Sequence, residues 1–231
     1  MPSFSIIVPV LDEAPGIAAA LEALAPMRRA GASVIVVDGG SRDATRALAA
    51  PLADRVIEAP RGRASQMNAG ARECGGDVLV FLHADSVLPP NALDAIGAGL
   101  KRTARDWGRF DVAIAGADPL LALVALLMNA RSRLTGVATG DQAIFVRREA
   151  FDAIGGFPEI PLMEDVAISK KLLGRTRPLA LEDRVVTSGR RWERHGTLRT
   201  IFLMWRLRMA YALGADPRRL ARRYEVERTS S

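Results

Sequence analysis

Acidic residues stand at the ends of ordered segments in this 231-residue chain, where their spacing could support acid–base or metal chemistry. Asp38 and Asp85 each follow an apolar run, and the adjacent pair Glu164 and Asp165 opens a segment with helical spacing. Unbroken apolar runs are typical of strands buried on both faces of a parallel sheet. Ligands of such sheets bind outside the carboxyl ends of the strands, so these carboxylates are candidates for binding and catalysis.

The segments that must position these carboxylates alternate between strand and helix patterns. Such an order predicts an α/β fold, with a mostly parallel sheet flanked by helices and a basic helical C-terminal segment. Strands are predicted at Phe4–Val10, Ser33–Val37, Arg55–Glu58, Asp77–Leu82, Phe110–Ala115 and Ala143–Val146, and helices near residues 16–26, 42–50, 90–100, 120–134, 164–173, 198–209 and 217–224.

A basic loop that contains glycine, Arg61–Gly70, precedes the strand that leads to Asp85. Its backbone N–H groups and arginines could bind a phosphate, which makes Arg63 and Asn68 candidates for binding a phosphorylated ligand. A solvated arginine loop has the same composition, so this signal alone is weak. The chain contains neither Gly-x-Gly-x-x-Gly after the first strand nor a P-loop pattern, which argues against dinucleotide-dependent redox chemistry and P-loop hydrolysis.

The net charge of +6 is concentrated in the last quarter of the chain, where fourteen arginines and six acidic residues lie between Arg175 and Ser231. This asymmetry suits a nucleic acid, a phosphorylated substrate or an anionic membrane surface. Aromatic residues are only 5% of the chain and form no stacking pattern, so we expect no nucleic-acid partner. The single cysteine, Cys74, fits a reducing compartment, and the N-terminus opens directly into a strand pattern, so we expect a cytoplasmic protein.

Two apolar segments predict contact with a membrane surface. The run Pro119–Met128 is shorter than the ~20 residues of a spanning helix and is apolar all round, which suits a core or a hydrophobic partner. The segment Leu198–Met209 has the spacing of an amphipathic cationic helix. One hypothesis is therefore peripheral attachment at the inner face of the membrane, through 119–128 and 198–209, with a lipid-linked or amphipathic partner.

Four segments in order resemble the family-two glycosyltransferases, which have the GT-A fold. They are Ile6-Ile7-Val8-Pro9-Val10-Leu11-Asp12-Glu13, Val36-Val37-Asp38-Gly39-Gly40-Ser41-Arg42-Asp43-Ala44-Thr45, Phe81-Leu82-His83-Ala84-Asp85 and Glu164-Asp165. The resemblance runs from about Phe4 to at least Leu173. Arg61–Gly70, Thr139–Gln142 and Ser188–Trp192 are similar to segments of the short bacterial members, so the likeness covers nearly the whole chain.

The resemblance implies roles for residues that bind the donor and the acceptor. Pro9, Glu13 and Asp38 match nucleotide-binding positions, and Asp38 would accept a hydrogen bond from a uracil imide N–H. Arg191 and Trp192 match an arginine-tryptophan motif in which arginine contacts the diphosphate and tryptophan the acceptor. The residues matching a segment that contacts the donor sugar or the acceptor are Gly140, Asp141 and Gln142.

The Asp-x-Asp motif of the family is replaced here by His83-Ala84-Asp85. The resemblance implies a divalent cation, Mn²⁺ or Mg²⁺, with Asp85 as an oxygen ligand. His83 would suit Mn²⁺ better than Mg²⁺ if it binds the metal, and it could instead donate a hydrogen bond to the sugar or a phosphate. Some GT-A enzymes take a further ligand from a C-terminal histidine, which makes His195 a candidate.

The implied reaction is an inverting transfer from a nucleoside-diphosphate sugar, most simply a UDP-sugar, to an unidentified acceptor. Asp165 matches the general base, and Glu164 would orient the base or the acceptor. A GT-A glycosyltransferase domain is expected over 1–183, with a nucleotide-binding half 1–100 and an acceptor half 101–183, and a basic extension packed on it over 184–231. The alternatives are a sugar-phosphate nucleotidyltransferase, which usually has a glycine-rich loop where this chain has Leu11–Gly16, and a non-catalytic nucleotide-sugar sensor. The sequence does not predict the oligomeric state.

Overall fold

An eight-stranded mixed sheet organises the protein, whose computed structural model describes residues 2–229, apart from the side chains of Arg191, His195 and residues 225–229. The strand order is β3-β2-β1-β4-β7-β6-β8-β5. Strands β1 to β4 are parallel, β7 is antiparallel to both β4 and β6, β6 and β8 are parallel, and β5 is antiparallel to β8. The strands are β1 Phe4–Val10, β2 Ser33–Asp38, β3 Arg55–Glu58, β4 Val78–Phe81, β5 Ser86–Val87, β6 Trp107–Ala115, β7 Phe145–Arg147 and β8 Leu179–Ser188.

Eleven helices flank the sheet within the described residues. They are α1 Ile17–Glu22, α2 Ala25–Arg29, α3 Thr45–Ala49, α4 Arg63–Arg72, α5 Ala92–Thr103, α6 Leu120–Thr135, α7 Arg148–Ala153, α8 Glu164–Leu173, α9 Arg190–His195, α10 Thr197–Ala212 and α11 Pro217–Thr229, and a 3-10 turn spans Gly140–Gln142. The predicted α/β fold, with a largely parallel sheet flanked by helices and a helical C-terminal segment, is confirmed.

Both faces of the parallel half of the sheet are buried, which explains the unbroken apolar runs in its strands. Ile6 and Val8 lie in one core layer with Ile17 of α1 and Ile96 of α5. The intervening Ile7 lies in the opposite layer, which also holds Ile35 of β2, Met67 of α4 and Ile168 of α8. Successive residues of a strand point to opposite faces, so a fully covered strand must be apolar at every position.

Strand β8 contains a bulge that shifts the register of its pairing with β6. Phe110 of β6 pairs with Leu181, but the next residue of β6 pairs with Arg184, which leaves Glu182 and Asp183 without partners in the ladder. The charged bulge hides the strand pattern, and the sequence therefore does not predict β8 or the two-residue β5 that pairs with it. The expected boundary between 183 and 184 falls inside β8, and the division into domains stays a prediction.

The C-terminal helices pack against the body of the protein. Leu207 of α10 and Leu220 of α11 are buried in a third apolar cluster with Met163 and Val166, at the start of α8. Helices α10 and α11 thus form the outer wall of the segment that carries Glu164 and Asp165. Among residues 2–229, no helix combines the length and the apolar character that a bilayer crossing needs.

Candidate active site

A crevice opens where the strand order changes direction. From β1 the chain moves outward to β2 and β3, then returns to place β4 on the other side of β1. The pairing of β1 with β4 ends at Ile7 and Phe81, so the two strands diverge beyond this point. Crevices at the carboxyl ends of strands at such a switch point are the usual ligand sites of open α/β sheets.

The loops after β1 and β2 are tied together by hydrogen bonds at this edge. The hydroxyl of Ser41 accepts a bond from Asp12 N, Thr45 Oγ1 accepts one from Glu13 N at 2.8 Å, and Asp43 accepts one from Ala14 N. Three successive backbone N–H groups of the first loop therefore bind side chains of the second. These contacts fix the position of Glu13, and the sequence motifs do not reveal them.

Asp38 is fully buried at the end of β2. Its carboxylate accepts hydrogen bonds from the backbone N–H groups of Gly40 and Ser41, at 3.0 Å each, and from the Ser41 hydroxyl. The side chain therefore shapes the loop that follows β2, and its predicted bond to a uracil ring stays a prediction. Pro9 lies in β1 beyond the last pair with β4, so its missing N–H removes no bond from that pairing.

Glu13 and Asp85 approach each other across the crevice. Burial raises the pKa of Glu13, and repulsion from Asp85 raises it further, while Arg190 and Arg63 act in the opposite direction. Arg190 is brought there by β8, because Ser188 N donates a 3.0 Å bond to the carbonyl of Asp85. The crevice therefore holds two carboxylates facing two guanidinium groups, a charge pattern suited to a phosphate and a cation together.

His83 is buried beside the 3-10 turn. Its Nδ1 lies 3.2 Å from Oδ1 of Asp141, and its ring lies against Gly140, where an added Cβ would be 2.4 Å from Nε2. Among the described residues no three His, Cys, Asp or Glu side chains are grouped to hold a metal ion. Asp85 is half-buried, and among the described side chains its Oδ1 accepts a long 3.4 Å bond from Ser86, so this carboxylate fits a cation that also binds phosphates.

Asp165 is held by two backbone N–H groups at the start of α8. Gly140 N donates to Oδ2 at 3.1 Å, and Val166 N donates to Oδ1 at 2.7 Å. The neighbouring Glu164 is buried, and burial followed by repulsion from Asp165 raises its pKa. Both carboxyl groups line a small cavity together with His83, Gly140 and the apolar side chains of Met67, Phe81, Ile144 and Phe157.

Two residues that the sequence does not single out lie near Asp165. Arg131 of α6 has a buried Nη2 for which the described residues provide no hydrogen-bond partner, and burial, with repulsion from Arg208, lowers its pKa to about 10. Burial raises the pKa of Tyr211, and the negative charge of Asp165 adds to this effect. Neither residue belongs to a recognisable motif, since helix packing alone brings both to the site.

Residues 5–112 match the model of the family described as Glycosyl transferase family 2. The matched segment is therefore similar to glycosyl transferase family 2. The match includes Glu13, Asp38 and Asp85 and ends within β6, before Asp165. Comparison with curated proteins gave no match.

Several solved structures share the fold of this chain at identities below 25%. S. aureus TarS 1-349 is 18% identical with a TM-score of 0.64, over 82% of this chain and 61% of that one. Its complex with UDP-GlcNAc is 19% identical with a TM-score of 0.65, over 80% of this chain and 58% of that one. Mannosyltransferase PcManGT from Pyrobaculum calidifontis, in complex with GDP-Man and Mn²⁺, is 24% identical with a TM-score of 0.63, over 90% of this chain and 61% of that one. Glucosyl-3-phosphoglycerate synthase from Mycobacterium tuberculosis, with Mn²⁺, UDP and glucosyl-3-phosphoglycerate, gives 18% and 0.59 over 79% and 70%. This chain spans about three fifths of the length of the TarS structures.

The residues predicted for the site fall into two groups. The crevice brings together Glu13, Arg63, His83, Asp85, Gly140, Asp141, Glu164 and Asp165. The amide of Asn68 instead exchanges two 2.9 Å bonds with the backbone of Phe157. Gln142 is fully buried and closes the 3-10 turn with Thr139. The roles assigned to Asn68 and Gln142 stay predictions, and contact with a ligand would require these bonds to change.

The arginine-tryptophan segment forms α9. Trp192 is half-buried, while the side chains of Arg191 and His195 lie outside the described part, so their predicted roles stay predictions. The neighbouring Arg190 donates to the Ser188 hydroxyl at 3.1 Å and lies near Glu13. Arg190 is therefore the guanidinium of this segment that the described contacts place at the crevice.

Proposed function

We propose that the protein is an inverting glycosyltransferase, of the hexosyltransferase type, that moves a sugar from a nucleoside-diphosphate sugar to an acceptor hydroxyl. The family match and structural neighbours that bind UDP-GlcNAc, UDP or GDP-Man support a nucleotide-sugar donor. The observation that carries the proposal is the carboxylate of Asp165, oriented by two N–H donors beside a cavity at the switch-point crevice. We assign a UDP-sugar as the donor and the cytoplasm as the location.

Asp165 is the proposed general base. The Gly140 and Val166 N–H groups orient its two oxygens and leave lone pairs free to accept the proton of the acceptor hydroxyl. As that proton moves to Asp165, the acceptor oxygen forms a bond to the anomeric carbon, and the bond from this carbon to the diphosphate oxygen breaks. Attack opposite the leaving group inverts the configuration at the anomeric carbon.

Glu164 has a different proposed duty from its neighbour. Since burial and Asp165 raise its pKa, Glu164 holds a proton to higher pH than an exposed glutamate does. A protonated carboxyl group can donate a hydrogen bond, which suits orientation of the acceptor or the donor sugar. Two adjacent carboxyl groups with different environments can thus act as base and as positioning group.

The departing diphosphate needs positive charge. Arg63 lies within electrostatic range of Glu164, Asp141 and Asp165, and Arg190 and Arg63 both act on Glu13. Asp85 would hold a divalent cation, Mn²⁺ or Mg²⁺, which when bound would offset the negative charge of the diphosphate. One or two carboxylates together with substrate phosphates are a common way to bind such cations. His83 is retained as a donor-contacting residue and a possible additional ligand.

The test separates donor binding from transfer. We expect UDP-sugars to raise the melting temperature in the presence of Mn²⁺, because a ligand that binds only the folded state stabilises it. Asp165→Asn should keep this stabilisation while UDP release with acceptor, or slow donor hydrolysis, falls by about 10²–10⁴-fold, as for loss of a general base. Asp85→Ala should lose the Mn²⁺-dependent part of the stabilisation as well as turnover.

The matched control is Asp152→Asn, which changes an exposed carboxylate on α7 in the same way. Its melting temperature, donor binding and turnover should equal those of the wild type. Unchanged turnover in Asp165→Asn would refute the base assignment. Release of pyrophosphate instead of UDP would identify a nucleotidyltransferase, and donor binding without any hydrolysis or transfer would identify a sensor.

A further inference from the structure

Helices α6 and α10 expose apolar side chains along one face each. On α10 the residues predicted to form its apolar stripe point outward, with Leu198 70% exposed, Phe202 63% and Trp205 61%. The opposite face, with Leu207, is the one that packs on the protein. We call this outward set the α10 stripe, and it consists of Leu198, Ile201, Phe202, Trp205 and Met209.

The first half of α6 has the same character. Leu121, Val124 and Ala125 are buried, whereas the residues on the other face are exposed leucines. This second set, the α6 stripe, consists of Leu120, Leu123, Leu126 and Leu127, and Leu126 is 63% exposed. Exposed large apolar residues are ordinary when single, but a contiguous group of this size marks an interaction surface.

The two stripes lie on neighbouring helices that run in the same direction. Thr197, at the start of α10, donates a hydrogen bond to Asp118, just before α6. Further along, Arg131 of α6 and Arg208 of α10 are close enough to repel each other. Since the helices are adjacent near their starts and again about three turns later, they run side by side.

The charged residues of α6 and α10 are all basic. The sequences of α6 and α10 contain no acidic residue, while α10 carries Arg199 and Arg206 beside its stripe and Arg208 further round. The adjoining α11 adds four exposed arginines, Arg218, Arg219, Arg222 and Arg223. An apolar strip bordered by arginines, with an exposed tryptophan, is the composition of helices that lie in the interface of an anionic bilayer.

We propose that the α6 and α10 stripes form a docking surface for an anionic lipid bilayer, with both helices lying in the plane of the headgroups. The alternative occupant, a second copy in a two-fold dimer, would bring the same arginines of both copies together, and like charges would oppose that contact. Anionic headgroups instead compensate them. The charge of the surface therefore favours lipid.

The docking surface adjoins the acceptor side of the crevice. Tyr211 of α10 lies under Lys170 of α8, with the ammonium 5.2 Å from the ring centre, and Leu207 packs with Val166, next to Asp165. A bilayer on the outer face of α10 thus lies one helix away from α8. If the proposed function holds, an acceptor anchored in that bilayer would reach Asp165 from this side.

The experiment measures binding to vesicles without any substrate, so its result does not depend on the proposed reaction. The full chain is sedimented with vesicles of phosphatidylglycerol and phosphatidylcholine, or of phosphatidylcholine alone. We expect binding to the mixed vesicles, weakened by added salt because the attraction is electrostatic. The double variant Leu198→Ser and Phe202→Ser should lose about tenfold or more in partitioning, since two exposed apolar side chains no longer enter the interface.

The control is Leu48→Ser, an exposed leucine on α3 that belongs to neither stripe. It should bind mixed vesicles as the wild type does, and all variants should share the wild-type circular dichroism and melting temperature. Equal binding by the double variant, or absence of wild-type binding to the mixed vesicles, would overturn the proposal. So would a wild-type dimer that ignores vesicles and becomes monomeric in the double variant, because the occupant would then be a second copy.

Discussion

The two sides of the crevice are built from different kinds of contact. On the proposed nucleotide side, the loops after β1 and β2 are joined by backbone N–H groups bonded to Ser41, Asp43 and Thr45, and all of these partners lie within the first 45 residues. On the acceptor side, Asp165 receives one N–H from the 3-10 turn, while Arg131 and Tyr211 approach it from separate helices. One side is held by hydrogen bonds between two adjacent loops. The other brings together charged side chains from helices that are far apart in the sequence.

This difference separates stability from chemistry. The carboxylate of Asp38 has its hydrogen bonds made within the protein, so removing it should cost folding free energy. On the proposed acceptor side Arg131 has a buried nitrogen that no described residue pairs with, and Glu164 is held in an environment that disfavours its charge. Groups of that kind cost folding free energy, so their presence at the site is not explained by stability.

The largest expected effect is that of Asp38→Ala on the nucleotide side. The change removes the buried carboxylate that accepts hydrogen bonds from the N–H groups of exposed Gly40 and half-buried Ser41, and it releases the Ser41 hydroxyl that binds Asp12 N. We expect the free energy of unfolding to fall by about 2–4 kcal/mol, from one to three unmet hydrogen bonds. Urea denaturation measures it, and Asp94→Ala, at an exposed carboxylate on α5, should stay within about 0.5 kcal/mol of the wild type.

A smaller effect is expected from Gly140→Ala on the acceptor side. The new Cβ would lie 2.4 Å from the His83 ring, so the ring must shift and the N–H that holds Asp165 must move with the turn. We expect turnover to fall about 10–100-fold, since displacement of about 1 Å at a reacting group has this cost, and donor binding to weaken by less, through the shift of His83.

The control for this variant is Gly97→Ala on α5. Its Cβ would meet nothing nearer than 3.8 Å, so turnover should be unchanged and stability should rise by about 0.5–1 kcal/mol from helix propensity. If Gly140→Ala instead weakened donor binding as strongly as it lowered turnover, the separation between the two sides of the crevice would fail.

The smallest effect concerns Glu164→Gln and its dependence on pH. The folded protein raises the pKa of Glu164 above the ordinary value of 4.5, so the folded state holds this proton more tightly than the unfolded chain does. The stabilising contribution is fully present below pH 4.5 and is lost as the pH rises through the folded pKa. Glutamine does not titrate. The melting temperature of the variant minus that of the wild type should therefore increase as the pH rises. A difference that does not depend on pH would contradict this account.

The nucleotide side could be predicted from the sequence because its signals are local. Continuous apolar runs indicate β1, β2 and β4, and the residues at their ends lie at one edge of the sheet whatever the rest of the chain does. The α8 motif with Glu164 and Asp165 also depends on local helical spacing. The sequence does not predict the orientation of the Asp38 side chain. Its buried carboxylate accepts hydrogen bonds from the loop that directly follows β2.

The remainder depends on contacts between distant segments. The bulge at Glu182 and Asp183 obscures the strand pattern of β8. The sequence therefore does not predict that Arg190 lies near Glu13. The spacing of the α10 stripe predicts an amphipathic helix but not which face is buried, because Leu203, Leu207 and Tyr211 form a second usable face. Only the packing of α10 on α8 decides between them.

The parallel pairing of β6 with β8 has a consequence for the order in which the protein folds. Gly108 pairs with Leu179, so this ladder closes a loop of about 70 residues. A chain emerging from the ribosome folds from its N-terminus, and the pairing of β1 with β2 and β4, and of β2 with β3, needs nothing beyond residue 81. We therefore expect a nascent chain to form the loops after β1 and β2 well before Arg190, α10 and α11 are synthesised. Such a chain should be able to bind a donor before it can transfer the sugar.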